Sequence, residues 1–239
     1  MFHQWYPAMM NGIGGDAATR AKGVQANAEY HAYLDPLIEA RRREPQDDLL
    51  SRLAVAEVDD QHMTSEEIKS FASLILVAGA ETTDKAIANL WYQLLANPDQ
   101  WEAVRKDPDL LDRAFTEMMR IHPPAGGQAR RAINDVTMHG EVIPAGAYVQ
   151  LSIYGGNRDE RVFKDPDRFD VERSPNDHVA FGGYGAHFCL GASLARLELR
   201  VMFEELIARL PDLKLTSDAP LPRRPSNFIT GYENMPVEL

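Results

Sequence analysis

The sequence is poorest in cysteine: Cys189 is the only one, so no disulfide can form within the chain and a disulfide framework is excluded. Long apolar runs are also lacking. The most apolar window, FASLILVAGA from Phe71, is followed at once by Glu81, Asp84 and Lys85 and falls well short of the ~20 residues needed to span a bilayer. The opening MFHQWYPAMM has neither the basic start nor the apolar core of a secretory leader. Positive charge is in deficit, with 25 Lys and Arg against 36 Asp and Glu, a net charge of −11. That balance repels phosphate backbones and anionic lipid heads, which argues against nucleic acid and membrane surfaces as partners. The expected compartment is the cytoplasm. Internal repeats and low-complexity tracts are missing too, and the run Arg41, Arg42, Arg43 reads as a solvated helix end that complements the C-terminal dipole.

Apolar residues are plentiful, 44% of 239, enough for a sizeable core. Residues from about 20 to 43 mix alanine with charge and read as a helix stopped by Pro45. Thr64 with Glu67 forms a capping box, and the chain stays helix-compatible to Asn97-Pro98, a long central helix over about 64–97. Shorter helices are expected from Pro98 to Lys106 and over about 110–122, the second ended by Pro123-Pro124. In EVIPAGAYVQLSIY a Pro-Ala-Gly turn precedes an alternation that puts Val149, Leu151 and Ile153 on one face, which predicts a hairpin. Residues 155–180 show no periodicity, a long loop that should have a functional reason to be ordered. A broadly apolar helix follows over about 190–210, ended at Leu210-Pro211. The pattern predicts a mainly α protein with small β-sheets.

Cys189 lies just before that last helix, in HVAFGGYGAHFCLGASLARLEL, with glycines at 182, 183, 185 and 191. A lone cysteine is usually a small buried hydrophobe. A helix N-terminus, however, offers unpaired N–H groups and a positive partial charge, which favour an anionic sulfur acting as ligand or nucleophile. The glycines let backbone lie flat against a broad planar group, a geometry that suits an iron macrocycle. A zinc site would need three further ligands, and no second cysteine is available. A cysteine nucleophile using His187 as base is the alternative that the spacing leaves open.

The stretch GGYGAHFCLG, with Gly185, His187, Cys189 and Gly191, resembles the haem-binding loop of the cytochrome P450 monooxygenases, here 181–191. The resemblance implies that Cys189 is the axial ligand of haem b (iron protoporphyrin IX), pushing electron density onto the iron, and that His187 holds a haem propionate. The family's aromatic seven residues before the cysteine is replaced by Gly182, with Phe181 one residue earlier. AGAETT, Ala78 to Thr83, resembles the oxygen-binding kink of the family's long helix, which makes Glu81 and Thr82 an acid and alcohol pair for proton delivery. EMMR matches the family's Glu-x-x-Arg at Glu117 and Arg120, and PDRF supplies a second arginine, Arg168, so that the three would brace the loop before Cys189. Arg130 falls at a second propionate partner. By analogy Val77, Ala78, Gly126, Gly127, Phe228 and Ile229 face a substrate pocket, mostly small or apolar.

The resemblance runs over the whole chain but not the whole family. It implies that residues 1–239 are the C-terminal, larger part of a single cytochrome P450-like domain, starting near the family's F and G helices, with the N-terminal part absent. The implied activity is that of a haem-thiolate monooxygenase, an oxidoreductase inserting one atom of O2 into a lipophilic substrate with electrons from ferredoxin and ferredoxin reductase. Arg196 and Arg200, one turn apart after the cysteine loop, are candidates for docking an acidic ferredoxin. The alternative is a truncated, catalytically incompetent haem-binding or interaction fragment.

Overall fold

The computed structural model describes residues 2–13, 15–58, 60–183, 185–217, 219–223 and 229–239. It divides into two compact units, one up to Glu81 and one from Thr82 onward. The long helix α4 (Ser65–Ala96) contributes its first half to one unit and its second half to the other.

The first unit holds α1 (Phe2–Gly12), α2 (Ala17–Arg43), α3 (Leu49–Val55) and the short antiparallel pair β1 (Glu57–Val58) and β2 (Gln61–His62). Asp16 starts α2 by accepting from the Thr19 N–H at 2.7 Å, and the helix stops two residues before Pro45, as expected. The capping box at α4 forms in both directions: Thr64 N–H donates to Glu67 Oε2 at 2.7 Å and Glu67 N–H to Thr64 Oγ1 at 3.2 Å. Helix α1, which carries Pro7 inside it, and seven-residue α3 have no clear signature in the sequence. A Cβ on Gly23 would lie 3.0 Å from the Ala8 carbonyl and 3.1 Å from Gly12 Cα, so glycine is what lets α2 approach α1 this closely. Trp5, Tyr30, Leu34, Ile38 and Ile68 form the core of this unit.

In the second unit, α5 (Pro98–Lys106), a 3₁₀ turn (Pro108–Leu110), α6 (Leu111–Ile121) and α8 (Ala192–Arg209) join the rest of α4. Trp91 of α4 meets Trp101 of α5 and Phe203 of α8 edge-on, with centroids 5.2 and 5.1 Å apart. Val104, Phe115, Met118 and Leu199 complete the centre of this core. Each such side chain is worth about 1.5–3 kcal/mol on burial, which is what seats α6 and α8 under the cysteine loop.

The strands depart from the expected hairpin. β5 (Glu141–Ile143) pairs with β4 (Val136–Met138), and β6 (Tyr148–Ser152) pairs with β3 (Gly127–Arg131), both antiparallel. The tight two-residue turn is His139-Gly140, with φ +49° and +87°, a geometry whose twist matches the flanking strands. After the turn at Pro144, where Ala147 N–H donates to the Pro144 carbonyl at 3.1 Å, the chain is captured by Ala132 through bonds of 2.8 and 2.9 Å and extends the longer β3 ladder instead. The one-turn α7 (Ile153–Gly156) follows, and β7 (Lys214–Leu215) pairs with β8 (Val237–Glu238). Among the described residues no helix is long and apolar enough to cross a membrane.

Candidate functional site

Cys189 is free and exposed. Its N–H donates to the Phe181 carbonyl at 2.9 Å, and Phe188 N–H donates to the Gly185 carbonyl at 3.0 Å, so the loop closes on its own backbone. Gly182, Gly183 and Gly185 all take positive φ, at +94°, +66° and +111°. At Gly182 a Cβ would lie 3.1 Å from the His187 carbonyl, which accounts for glycine at the position where the resemblance leads one to expect an aromatic. The adjacent aromatic is Phe181, buried beside Phe115 and Phe188 with the Arg196 guanidinium 4.9 Å from its ring centre. Around the thiol the surface is open and apolar: Phe188, Leu190 and Leu194 are exposed, and nothing lies within 4 Å of where a Cβ would sit on Gly183, Gly185 or Gly191.

The loop leading to Cys189 is ordered by a buried charge cluster. Glu117 and Arg120 have zero side-chain exposure and pair at 2.8 Å. Arg120 has five N–H groups and five bonds: two to Glu117 and three to the carbonyls of Asn157 (2.9 Å), Pro166 (2.6 Å) and Arg168 (3.1 Å). Glu117 also accepts from Arg173 Nε at 3.0 Å, Asp170 N–H at 3.1 Å and Asn176 Nδ2 at 2.9 Å. The second arginine of the cluster is therefore Arg173, not Arg168. Arg168 is exposed and contributes its carbonyl, which accepts from both Arg120 and Arg173. Asn157, fully buried, accepts from Val179 N–H at 2.8 Å and ties α6 to the segment entering the cysteine loop. Neither Arg173 nor Asn157 stood out in the sequence, where each is one polar residue among many in an aperiodic loop.

His178, at the start of the cysteine stretch, accepts from Ala180 N–H at 3.2 Å, and burial, reinforced by Arg196, pushes its pKa down to about 4. His187 is exposed in the loop. Arg130, exposed on β3, donates to Gln128 Oε1 at 2.8 Å, and Gln128 Nε2 lies 3.9 Å from the Cβ position of Gly182, which puts β3 beside the cysteine loop. The strand that carries Arg130 thus runs beside the loop of His187 and Cys189. Arg200 is balanced by Glu204 at 2.9 Å and Asp112 at 3.3 Å, so with Arg196 stacked on Phe181 neither cation of the expected docking pair is unengaged.

Glu81 and Thr82 are half-buried on α4, which runs as continuous helix through Ala78–Thr83, and Ala78 is exposed. Val77 packs against the first unit's core. Gly126 and Gly127 do not open onto free space: a Cβ on Gly126 would lie 2.3 Å from the Tyr154 ring, and one on Gly127 would lie 2.5 Å from Gln150 Nε2 and 2.6 Å from the Leu151 carbonyl. Close packing, rather than room for a ligand, accounts for these two glycines. Ile229 is buried and bridges to Ala125, and Phe228 lies outside the described residues.

A family model described as cytochrome P450 matches residues 16–230. The chain belongs to the cytochrome P450 family. Steroid C26-monooxygenase of Mycolicibacterium smegmatis is 44% identical over 239 residues, which cover 99% of this chain and 59% of that protein. Cytochrome P450 monooxygenase PikC of Streptomyces venezuelae is 42% identical over 91% of this chain and 53% of its own length. Among solved structures, the bacillaene polyketide synthase cytochrome P450 PksS of Bacillus subtilis superposes with a TM-score of 0.93 at 35% identity, covering 100% of this chain and 61% of that one. The P450 chain therefore spans 53–61% of the length of these relatives.

The family is one of haem-thiolate monooxygenases, and the residues around Cys189 fit that group. Exposed apolar side chains surround a single exposed sulfur, nothing stands within 4 Å of a Cβ on Gly183, Gly185 or Gly191, and Arg130 and His187 are exposed donors of the kind that meets carboxylates. Among the described residues no cluster of three or more His, Cys, Asp or Glu is gathered for a bare metal ion.

Proposed function

We propose that residues 1–239 correspond to the C-terminal, larger part of a haem-thiolate monooxygenase acting on a lipophilic substrate, in the cytoplasm, with electrons from a ferredoxin and its reductase. The observation that carries this reading is the exposed Cys189 sulfur at the centre of an apolar, glycine-flattened face just before α8. Haem b, when bound, supplies the centre at which dioxygen is activated, one oxygen entering a C–H bond of the substrate and the other leaving as water with two electrons and two protons. Cys189 would hold the iron through its sulfur, Arg130 and His187 would hold the carboxylates of the group, and Phe181, Gly185 and Gly191 would shape its bed. Glu81 and Thr82 on α4 hold and pass protons at their carboxyl and hydroxyl oxygens, beside Ala78. Glu117, Arg120 and Arg173 fix the loop that aims the sulfur. By family analogy Val77, Ala78 and Ile229 are pocket candidates, all small or apolar, which suits a lipophilic substrate. Relatives favour that class, since they include the steroid C26-monooxygenase and a methyl-branched lipid omega-hydroxylase of Mycobacterium bovis.

Coverage of only 59% of the steroid monooxygenase favours a second reading, a haem-binding fragment without turnover of its own. Turnover with labelled dioxygen separates the two. The first reading expects one labelled oxygen per product molecule, and Thr82→Ala lowers product per electron consumed several-fold while haem content is unchanged. Equal coupling in Thr82→Ala would remove Thr82 from the proton path, and haem uptake without any product under every condition would leave the fragment.

A further inference from the structure

One histidine joins the C-terminal stretch to the end of α6. His122, half-buried at the C-cap of that helix, has its ring between two polar side chains. Arg223 Nη2 lies 2.5 Å from Nε2, and the buried Gln93 amide of α4 meets Nδ1. Asn89, one turn before Gln93 and also buried, donates to the His122 carbonyl at 2.9 Å and holds the backbone beneath the ring. A guanidinium has only donors, so Nε2 must carry a lone pair. Lone pairs on both nitrogens would make the ring an anion, so its one proton sits on Nδ1 and Gln93 turns its amide oxygen toward it. The Arg223 contact therefore exists only with a neutral imidazole.

Arg223 carries other residues with it. It bridges to Tyr232, with its guanidinium 5.6 Å from the centre of that ring, and Glu233 N–H donates to the Pro222 carbonyl at 3.0 Å. Tyr232 packs on Tyr92 of α4 with centroids 4.5 Å apart. Thr230 N–H donates to the Pro124 carbonyl at 2.7 Å, and Ile229 bridges to Ala125. We propose that His122 is a proton-sensitive clasp: the neutral ring holds Arg223, and with it Ile229, Thr230 and Tyr232, against the end of α6, and a proton on Nε2 releases them. That proton takes the lone pair that Arg223 uses and sets two cations in contact. The charged groups that face the ring are both cations, Arg223 and Arg158. From α4 it meets only the amides of Gln93 and Asn89, and the other titratable neighbours are the phenols of Tyr232 and of Tyr154 on α7, whose hydroxyl donates to the Pro123 carbonyl at 3.0 Å. Burial and the two arginines hold the clasped ring at about 4, against 6.5 for a free one, so release takes up a proton and becomes easier as pH falls. Ile229 is a pocket candidate in the function proposed above, and in that reading acid loosens one wall of the site.

The test uses the whole chain, residues 1–239, and reads no haem signal, so its failure leaves the reading of Cys189 untouched. Nitrogen NMR of the His122 ring gives its tautomer and titration, and amide exchange at Thr230, expressed as a protection factor, follows release. The expected results are a proton on Nδ1 at pH 7 and a fall of about twentyfold in Thr230 protection between pH 7 and pH 5. That fall exceeds any at Leu199 and Phe203, whose core positions report unfolding of the unit as a whole. His122→Gln, which still accepts from Arg223 but does not titrate, keeps the protection and loses its pH dependence. His122→Lys, a fixed cation at the clasp, lowers Thr230 protection several-fold at pH 7 and affects Leu199 and Phe203 less. The proposal is overturned if Nε2 carries the proton at pH 7, if Thr230 protection follows that of Leu199 and Phe203 across the range, or if His122→Gln retains the pH dependence.

Discussion

The Arg120 guanidinium meets the Glu117 carboxylate in a two-pronged pair, Nε to Oε2 and Nη2 to Oε1 both at 2.8 Å, with neither side chain exposed. Removing one charge from such a pair leaves the other buried and unpaired, which costs about 3–5 kcal/mol. Glu117→Gln is therefore expected to destabilise the second unit by that order. Arg173→Ala should cost about 1–3 kcal/mol, because it strips a charged partner from Glu117. Arg168→Ala should stay within about 0.5 kcal/mol, since only its backbone is used. Denaturant unfolding followed by the fluorescence of Trp91 and Trp101, both in this unit, measures all three. A larger loss at Arg168 than at Arg173 would return the cluster to the membership expected from the sequence.

That exchange of arginines shows where sequence reasoning stops. The Glu117–Arg120 spacing on a helix was legible because i,i+3 neighbours share a face. Which loop arginine reaches them depends on the path of an aperiodic segment pinned by Asp165, Asp170 and Asn157, none of which has a local signature. The helices were legible from caps and prolines: Thr64 with Glu67, Pro45, and Pro123 after α6. β3 was not, because Gly127-Gln-Ala-Arg-Arg131 lacks the β-branched and aromatic residues that announce a strand and is held by its ladder with β6. Cys189 was legible from its glycines, but the packing reason for Gly126 and Gly127 needed the position of Tyr154 and of β6.

Gly182 combines φ +94° with a Cβ direction only 3.1 Å from the His187 carbonyl. Gly182→Ala is expected to strain the loop by roughly 1–3 kcal/mol. Because Cys189 N–H is bonded to the neighbouring Phe181 carbonyl, the displacement should reach the sulfur and lower haem retention several-fold. Gly183→Ala, whose Cβ would have open space around it, is expected to strain the backbone but not the contact, with the smaller effect. Haem retention after gel filtration compares them, and equal retention in both variants and the parent would show that the loop tolerates a side chain at Gly182.

Two histidines of the second unit are held neutral. Burial, then Arg223, pushes His122 down to about 4 from 6.5, and burial, then Arg196, does the same for His178. Their folded-state values lie below the unfolded one, so the unfolded chain binds more protons between pH 6.5 and 4. The stability they contribute is full above that window and is lost as pH falls through it. About 2 kcal/mol per histidine is expected to disappear between pH 7 and pH 5. Asp48 and Asp159, held at about 2 by Arg41 and Arg161, lose their contribution only below their ordinary value of 3.8 and do not enter the same window. Thermal melting at pH 7, 6 and 5 should show the fall, and His178→Asn should flatten it. A melting temperature constant across this range would mean that neither histidine is held neutral by the fold.

In the proposed function the Cys189 sulfur would hold the haem iron. The most direct measurement is the absorption spectrum of the reduced carbon monoxide complex of haem-loaded protein, compared with Cys189→Ser at equal haem content. The account predicts the strongly red-shifted Soret band of thiolate-ligated iron in the parent and its loss in Cys189→Ser, whose hydroxyl is a harder and far less acidic donor. The same red-shifted band in both proteins, or haem binding in the parent without it, would contradict the account.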